Sequence, residues 1–110
     1  MIIATRILKL RNGNAEREVP IRIFAPVQEE TDWSCRFEVD WPDGTLIRAA
    51  IGIDAVQALI LALRMIGTQL YASDYHVAGN LAWEAQGLGY GFPVANAFRD
   101  LLVGDDKTLM

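Results

Sequence analysis

The sequence predicts an α+β domain, a four-stranded antiparallel sheet of two hairpins packed on one long helix. Three observations carry that prediction. In residues 33–41, Trp33, Cys35, Phe37, Val39 and Trp41 alternate with Ser34, Arg36, Glu38 and Asp40. Period-two patterning of this kind marks a strand with one face buried and one wet. Two turn signals, Asn12-Gly13 and Pro42-Asp43-Gly44, each separate a pair of strand-like runs. Finally, Asp54 with Gln57 forms an Asp-x-x-Gln capping box ahead of a long apolar stretch, the signature of a helix start.

The first strand covers residues 2–10, which are rich in aliphatic and β-branched side chains. Asn-Gly accepts the positive φ of a tight hairpin turn, and residues 17–25 return with Val19, Ile21 and Ile23 on one face. Pro20 donates no ladder hydrogen bond, which places this strand at an edge, at least near its start. Residues 28–32 form an acidic connection. Beyond the turn at residues 42–44, where Pro presets φ and Gly takes the left-handed position, residues 45–53 are expected to return with Ile47, Ala49, Ile51 and Ile53 facing inward.

From Asp54 the helix is expected to reach about Ala72, a length of roughly 28 Å, enough to cover a nine-residue strand of about 30 Å. Spaced at 100°, Val56, Leu59, Ile60, Leu63, Ile66 and Leu70 form one broad apolar face. Gln57, Arg64, Thr68 and Tyr71 form a narrow polar stripe, and Ala58, Leu61, Ala62 and Met65 fill the remaining side. A helix apolar on more than one side needs a second partner besides the sheet. Either the C-terminal third or another subunit supplies it, and Leu61 and Met65 are the expected oligomer interface. Residues 81–83 read as a short strand or apolar clip, 87–93 as a glycine-rich loop, 94–103 as a short final helix and 104–110 as a frayed tail. The single domain is therefore drawn over residues 1–103.

Composition narrows the function classes. The 110-residue chain is 52% hydrophobic with a formal charge of −4. It has room for one domain and a sizeable core, and no basic stripe for nucleic acid. Cys35 is the sole cysteine, so no internal disulfide forms and a reducing, cytoplasmic setting is expected. Residues 1–6 read as strand rather than signal peptide, and the longest apolar run is too short for a bilayer.

The motifs with chemical potential are few. Gly87, Gly89 and Gly91 miss the Gly-x-Gly-x-x-Gly spacing by one residue and run into Pro93, which removes a dinucleotide loop. His76 stands near Asp74, and such a pair suits acid–base work. No nucleophile accompanies it, however, so a surface loop histidine is the simpler expectation. Cys35 and His76 lack the ligand spacing of a zinc site, and Cys35 on an inward strand position reads as core. No metal or cofactor is expected.

Two groups remain as binding candidates. Arg6, Arg22, Arg36 and Arg48 put one arginine near the middle of each strand, expected on the outward face beside Glu18, Glu38 and Asp40. This reads as a lattice of weak ion pairs or as a platform for an acidic partner. Trp83, Glu84, Tyr90 and Phe92 surround the glycine loop and read as a pocket or as the second cover for the helix, with cover preferred.

The segment Gly52-Ile53-Asp54-Ala55-Val56-Gln57-Ala58-Leu59-Ile60-Leu61-Ala62-Leu63 resembles a family of small uncharacterised bacterial proteins, a domain of unknown function. Trp33-Ser34-Cys35-Arg36-Phe37, Leu81-Ala82-Trp83, Leu88-Gly89 and Phe92-Pro93 share that resemblance, which covers residues 19–94. It implies the fold and a bacterial source, and attaches no activity. The expected function is thus a non-enzymatic protein-binding or accessory role, as a homodimer and with an immunity-like cover for a basic partner as one form. The alternative is a small-molecule-binding domain or modest enzyme using a cleft near Trp83–Phe92.

Overall fold

A computed structural model describes residues 1–95, 102–104 and 106. Its strands are β1 (Ile2–Asn12), β2 (Ala15–Phe24), β3 (Val27–Gln28), β4 (Trp33–Trp41), β5 (Gly44–Gly52) and β6 (Leu81–Ala82). Between β5 and β6 lie the long helix α1 (Ala55–Tyr71) and the single-turn helix α2 (Asp74–Val77). Among the described residues the antiparallel sheet has six strands rather than the expected four. The two additions, β3 and β6, are two-residue pairings that no periodicity announces. Spatially the sheet runs β6-β1-β2-β4-β5, with β3 beside β2 on the same edge of β4. The expected final helix over 94–103 falls largely outside the described residues.

Both hairpins form where their turns place them, with Asn12 opposite Ala15 and Trp41 opposite Gly44. β2 is interior only over Ile21–Ile23, where it pairs with both β1 and β4; from Ala15 to Pro20 it pairs with β1 alone and is an edge, as its proline indicated. Its ladder with β4 spans only Ile21–Ile23, so Pro20 sits where β2 has already left β4, the position its missing N–H tolerates.

The register of β4 and β5 overturns the expected inward face of β5. Cys35 lies opposite Ala50, Phe37 opposite Arg48 and Val39 opposite Leu46. Directly opposed residues share a face, so Leu46, Arg48, Ala50 and Gly52 follow the core side while Ile47, Ala49 and Ile51 point away from α1. Ile53, beyond the strand, is also exposed.

The reason is the height of the helix. α1 descends on its small residues: Ala58 and Ala62 are fully buried, followed by Ile66 and Leu70. A methyl group added at Gly52 would collide with the Ala58 backbone nitrogen. Small side chains on both layers let backbone approach backbone, and isoleucines facing inward from β5 would hold the helix off. Val56 and Ile60, expected on the apolar face, are consequently exposed, whereas Tyr71, expected in the polar stripe, is buried. The capping box forms as read: Gln57 N–H donates to Asp54 Oδ1 at 2.8 Å, and the Gln57 side-chain oxygen accepts from the Ile53 N–H at 2.7 Å.

The second partner of α1 on one flank is the chain's own C-terminal third. Gly67 admits the Pro93 carbonyl, the Ala95 N–H donates to Thr68 Oγ1 at 3.1 Å, and Phe92 and Val94 are buried in the core. α2 is fastened to the β4–β5 turn by Tyr75, stacked on Trp41 at 5.0 Å and donating to Asp43 Oδ1 at 3.1 Å.

Candidate interaction surface

With α1 on one side only, the opposite face of the sheet has no covering layer among the described residues. The expected row of four arginines does not form there. Arg6 lies opposite Ile21 and Arg48 opposite Phe37, both on the helix side. Arg22 and Arg36 do share the outer face. Arg22 Nε meets Glu38 at 3.1 Å and its Nη2 meets Asp40 at 3.4 Å, while Arg36 Nη2 approaches Glu38 at 3.8 Å. The hydrogen bond to Glu38 is the chief cause that raises the Arg22 pKa, and a hydrogen bond from Thr45 is the chief cause that lowers that of Asp40. Two carboxylates already occupy Arg22, which makes the cluster a poor platform for an added anion. Arg36 is the freer group, placed over Phe24 with its guanidinium carbon 4.0 Å from the ring centre.

Around this charged centre lie side chains that sequence reasoning assigned to the core or passed over. Ile47 is 53% exposed, Ile51 54%, Ile7 43% and Val27 59%. Val27 lies opposite Ser34, and Ser34 opposite Ile51, so Val27 and Ile51 flank one small residue at one end of the face. An arginine stacked on an aromatic ring with exposed aliphatic groups beside it matches the anchor-and-rim composition of protein interfaces.

On the other side of the molecule, Arg6 ties the glycine loop to the sheet. Its guanidinium lies 3.8 Å from the Trp83 ring centre and 4.9 Å from that of Phe92, and Nη1 donates to the Gly91 carbonyl at 2.9 Å and the Tyr90 carbonyl at 3.2 Å. Burial is the main influence on this group and lowers its pKa, opposed by Asp106 and Glu84. Asp106, 1% exposed, accepts from the Tyr90 N–H at 3.0 Å, the Gly91 N–H at 2.9 Å and the Tyr71 hydroxyl at 2.7 Å. The Tyr90–Gly91 backbone is therefore clamped, carbonyls to a cation and amides to an anion. Gly89 and Gly91 both take positive φ, and a Cβ would strike the Asp106 carboxylate from Gly89 and Arg6 with Trp83 from Gly91. The glycines thus serve this clamp.

Tyr90 is buried, its hydroxyl against His76 Nδ1. His76 is half-buried on α2 rather than on an open loop. Burial lowers the His76 pKa and, with a smaller contribution from Asp106, pushes that of Tyr90 up to about 12. No hydrogen bond links His76 to the Asp74 side chain; the His76 N–H donates to the N-cap Ser73. Trp83 and Glu84 line a cleft of about 260 Å³ with Lys9 and Arg11, whereas His76 and Tyr90 line another hollow of about 150 Å³. The four groups do not converge on one concavity. Glu84 is exposed and holds φ +63°, centred in a tight turn closed by the Ala85 N–H on the Trp83 carbonyl at 2.6 Å.

Cys35 is fully buried with its pKa raised by burial and its thiol donating to the Phe24 carbonyl at 3.4 Å. Leu61 and Met65 are half-buried, lining an open groove of about 490 Å³ with Ala49, Ala50 and Ile51 of β5. Among the described residues no metal-binding cluster occurs, and no helix is long and apolar enough to cross a membrane.

Among the described residues, these features define the molecule as an α+β domain with one helix layer and one open sheet face. The chain belongs to a family defined as a domain of unknown function, DUF6968, which matches residues 4–94. No curated protein and no solved structure matches it.

Proposed function

We propose that this protein is a non-enzymatic binding module whose open sheet face docks a protein partner. One observation carries the reading: β5 turns Ile47 and Ile51 away from the core and sets Leu46, Ala50 and Gly52 toward it. Exposing aliphatic side chains on a face that also holds Ile7, Val27 and the Arg36–Phe24 pair costs solubility in an isolated domain. Such patches mark contact surfaces. The acidic net charge adds a preference for a basic partner, and covering a basic surface, as an immunity protein does, is the concrete form this takes.

Photo-crosslinking tests the proposal. A photoreactive side chain at Ile7 or Phe24 should give a discrete adduct in cells, one at the exposed Val77 of α2 should not, and Arg36→Ala, which removes the anchor without adding charge that favours a basic partner, should weaken the Ile7 adduct. Raising the salt concentration should weaken the complex. Equal labelling from Ile7 and Val77, or a partner indifferent to both salt and Arg36→Ala, removes the reading.

A further inference from the structure

The nine residues of β5 pair with β4 in one unbroken register, Trp33–Gly52 through Trp41–Gly44. The other edge of β5 pairs with nothing among the described residues. This edge holds no proline and no bulge, and its one charged residue is Arg48. Natural proteins protect an edge of this length with charges, bulges, proline or cover, because its free N–H and C=O groups recruit another strand. The opposite edge of the sheet is treated differently: β6 blocks β1 at Lys9 and Leu10, and a register shift interrupts β1 between Ile2 and Ala4.

We infer that two copies of this chain join through antiparallel pairing of β5 with β5, setting α1 beside α1 across a two-fold axis. The groove next to the edge argues for a second copy as the occupant. A two-fold axis normal to the sheet keeps both helices on one side of it. Because α1 packs over β4 and β5, the two helix axes would stand two strand spacings apart, about 10 Å. That is close to the 8–10 Å at which helices pack. The flank each helix presents is Leu61 and Met65, with Arg64 and Gln69 at its rim, so the half-buried apolar flank of one copy finds the same flank of the other.

The side chains of β5 also select a register. With Ala49 opposite the partner's Ala49, Ile47 lies against the partner's Ile51 and Arg48 against the partner's Ala50. A shift by one residue per strand would set Arg48 against its own copy, which like-charge repulsion disfavours. The dimer would join the two outer faces into one continuous surface. It does not depend on that surface having a partner.

The test combines sedimentation with cysteine crosslinking of the full chain. At about 100 µM the protein should sediment at twice its chain mass, and Met65→Glu should weaken the dimer about tenfold or more while leaving the circular dichroism spectrum intact. Ala49→Cys should form an intermolecular disulfide under mild oxidation, since opposed residues have Cα atoms about 4.5–5.5 Å apart. Thr45→Cys should not, because its two copies would lie roughly 27 Å apart at the strand rise. Ile7→Asp should leave the dimer unchanged, which separates this inference from the outer-face proposal. A monomer at that concentration overturns the inference. So does equal crosslinking at the two cysteine positions, or a dimer sensitive to Ile7→Asp and indifferent to Met65→Glu.

Discussion

Replacing Asp106 with Ala should remove a large part of the protein's stability, although the residue lies far along the chain from the core strands. Its carboxylate is buried and receives three donors, two of them backbone amides of the glycine loop and the third the Tyr71 hydroxyl. A buried donor left without an acceptor costs about 1–3 kcal/mol. Gly91 is only half-buried and gains water, so the loss should fall near 3–5 kcal/mol. A domain of this size has about 5–15 kcal/mol in total. Asp106→Asn is the finer probe. With its oxygen at the Oδ2 position the amide still accepts from Tyr71 and Tyr90, but its NH₂ group faces the Gly91 N–H, giving an intermediate cost of about 1–3 kcal/mol. Urea unfolding followed by tryptophan fluorescence measures both variants. Combining Asp106→Ala with Tyr71→Phe should give a coupling of about 0.5–3 kcal/mol. An Asp106→Ala variant within about 1 kcal/mol of the parent would refute the clamp.

Three further outcomes follow from the same contacts. Gly91→Ala should lower the melting temperature clearly, because φ is +76° and the new methyl would lie 2.5 Å from Arg6 Nη1 and 2.6 Å from the Trp83 ring. Leu88→Ala, at an exposed position of the same loop, should change it little. Ala62→Leu should overpack the helix–sheet seam and cost about 1–3 kcal/mol in the same urea assay, since Ala62 is fully buried, one turn along α1 from the close approach of Ala58 to Gly52. Stability should also depend on pH at both ends. The Tyr90 pKa rises from 10.0 to about 12 on folding, so its contribution is intact below pH 10 and is lost as pH climbs through 12, and Tyr90→Phe should flatten that alkaline decline. His76 is shifted down from 6.5, so its contribution is present above pH 6.5 and fades as pH falls through the lower folded value; His76→Gln should remove that acid limb.

The elements themselves are written locally. Period-two runs, the Asn12-Gly13 and Pro42-Asp43 turns and the Asp54–Gln57 box depend on neighbours in the chain, and local sterics and hydrogen bonding decide them. The long strands, α1 and its cap are accordingly found within one or two residues of their expected places. The facing of β5 was also legible, in the turn rather than in the hydrophobicity. A two-residue loop at Pro42-Asp43 pairs Trp41 with Gly44 and so commits Val39 to Leu46 and Cys35 to Ala50. The isoleucines suggested the other face because periodicity reports which residues alternate, not which set meets the helix.

How closely α1 sits on the sheet is settled in three dimensions, where Gly52 against Ala58 lets one backbone approach the other. The same packing brought Arg6 and Asp106 to the two sides of the Tyr90–Gly91 backbone, far apart in order yet joined through one loop. It also left the outer edge of β5 unpaired among the described residues. Contacts of that kind depend on where separate elements come to rest against one another, and no local pattern encodes the distance between them.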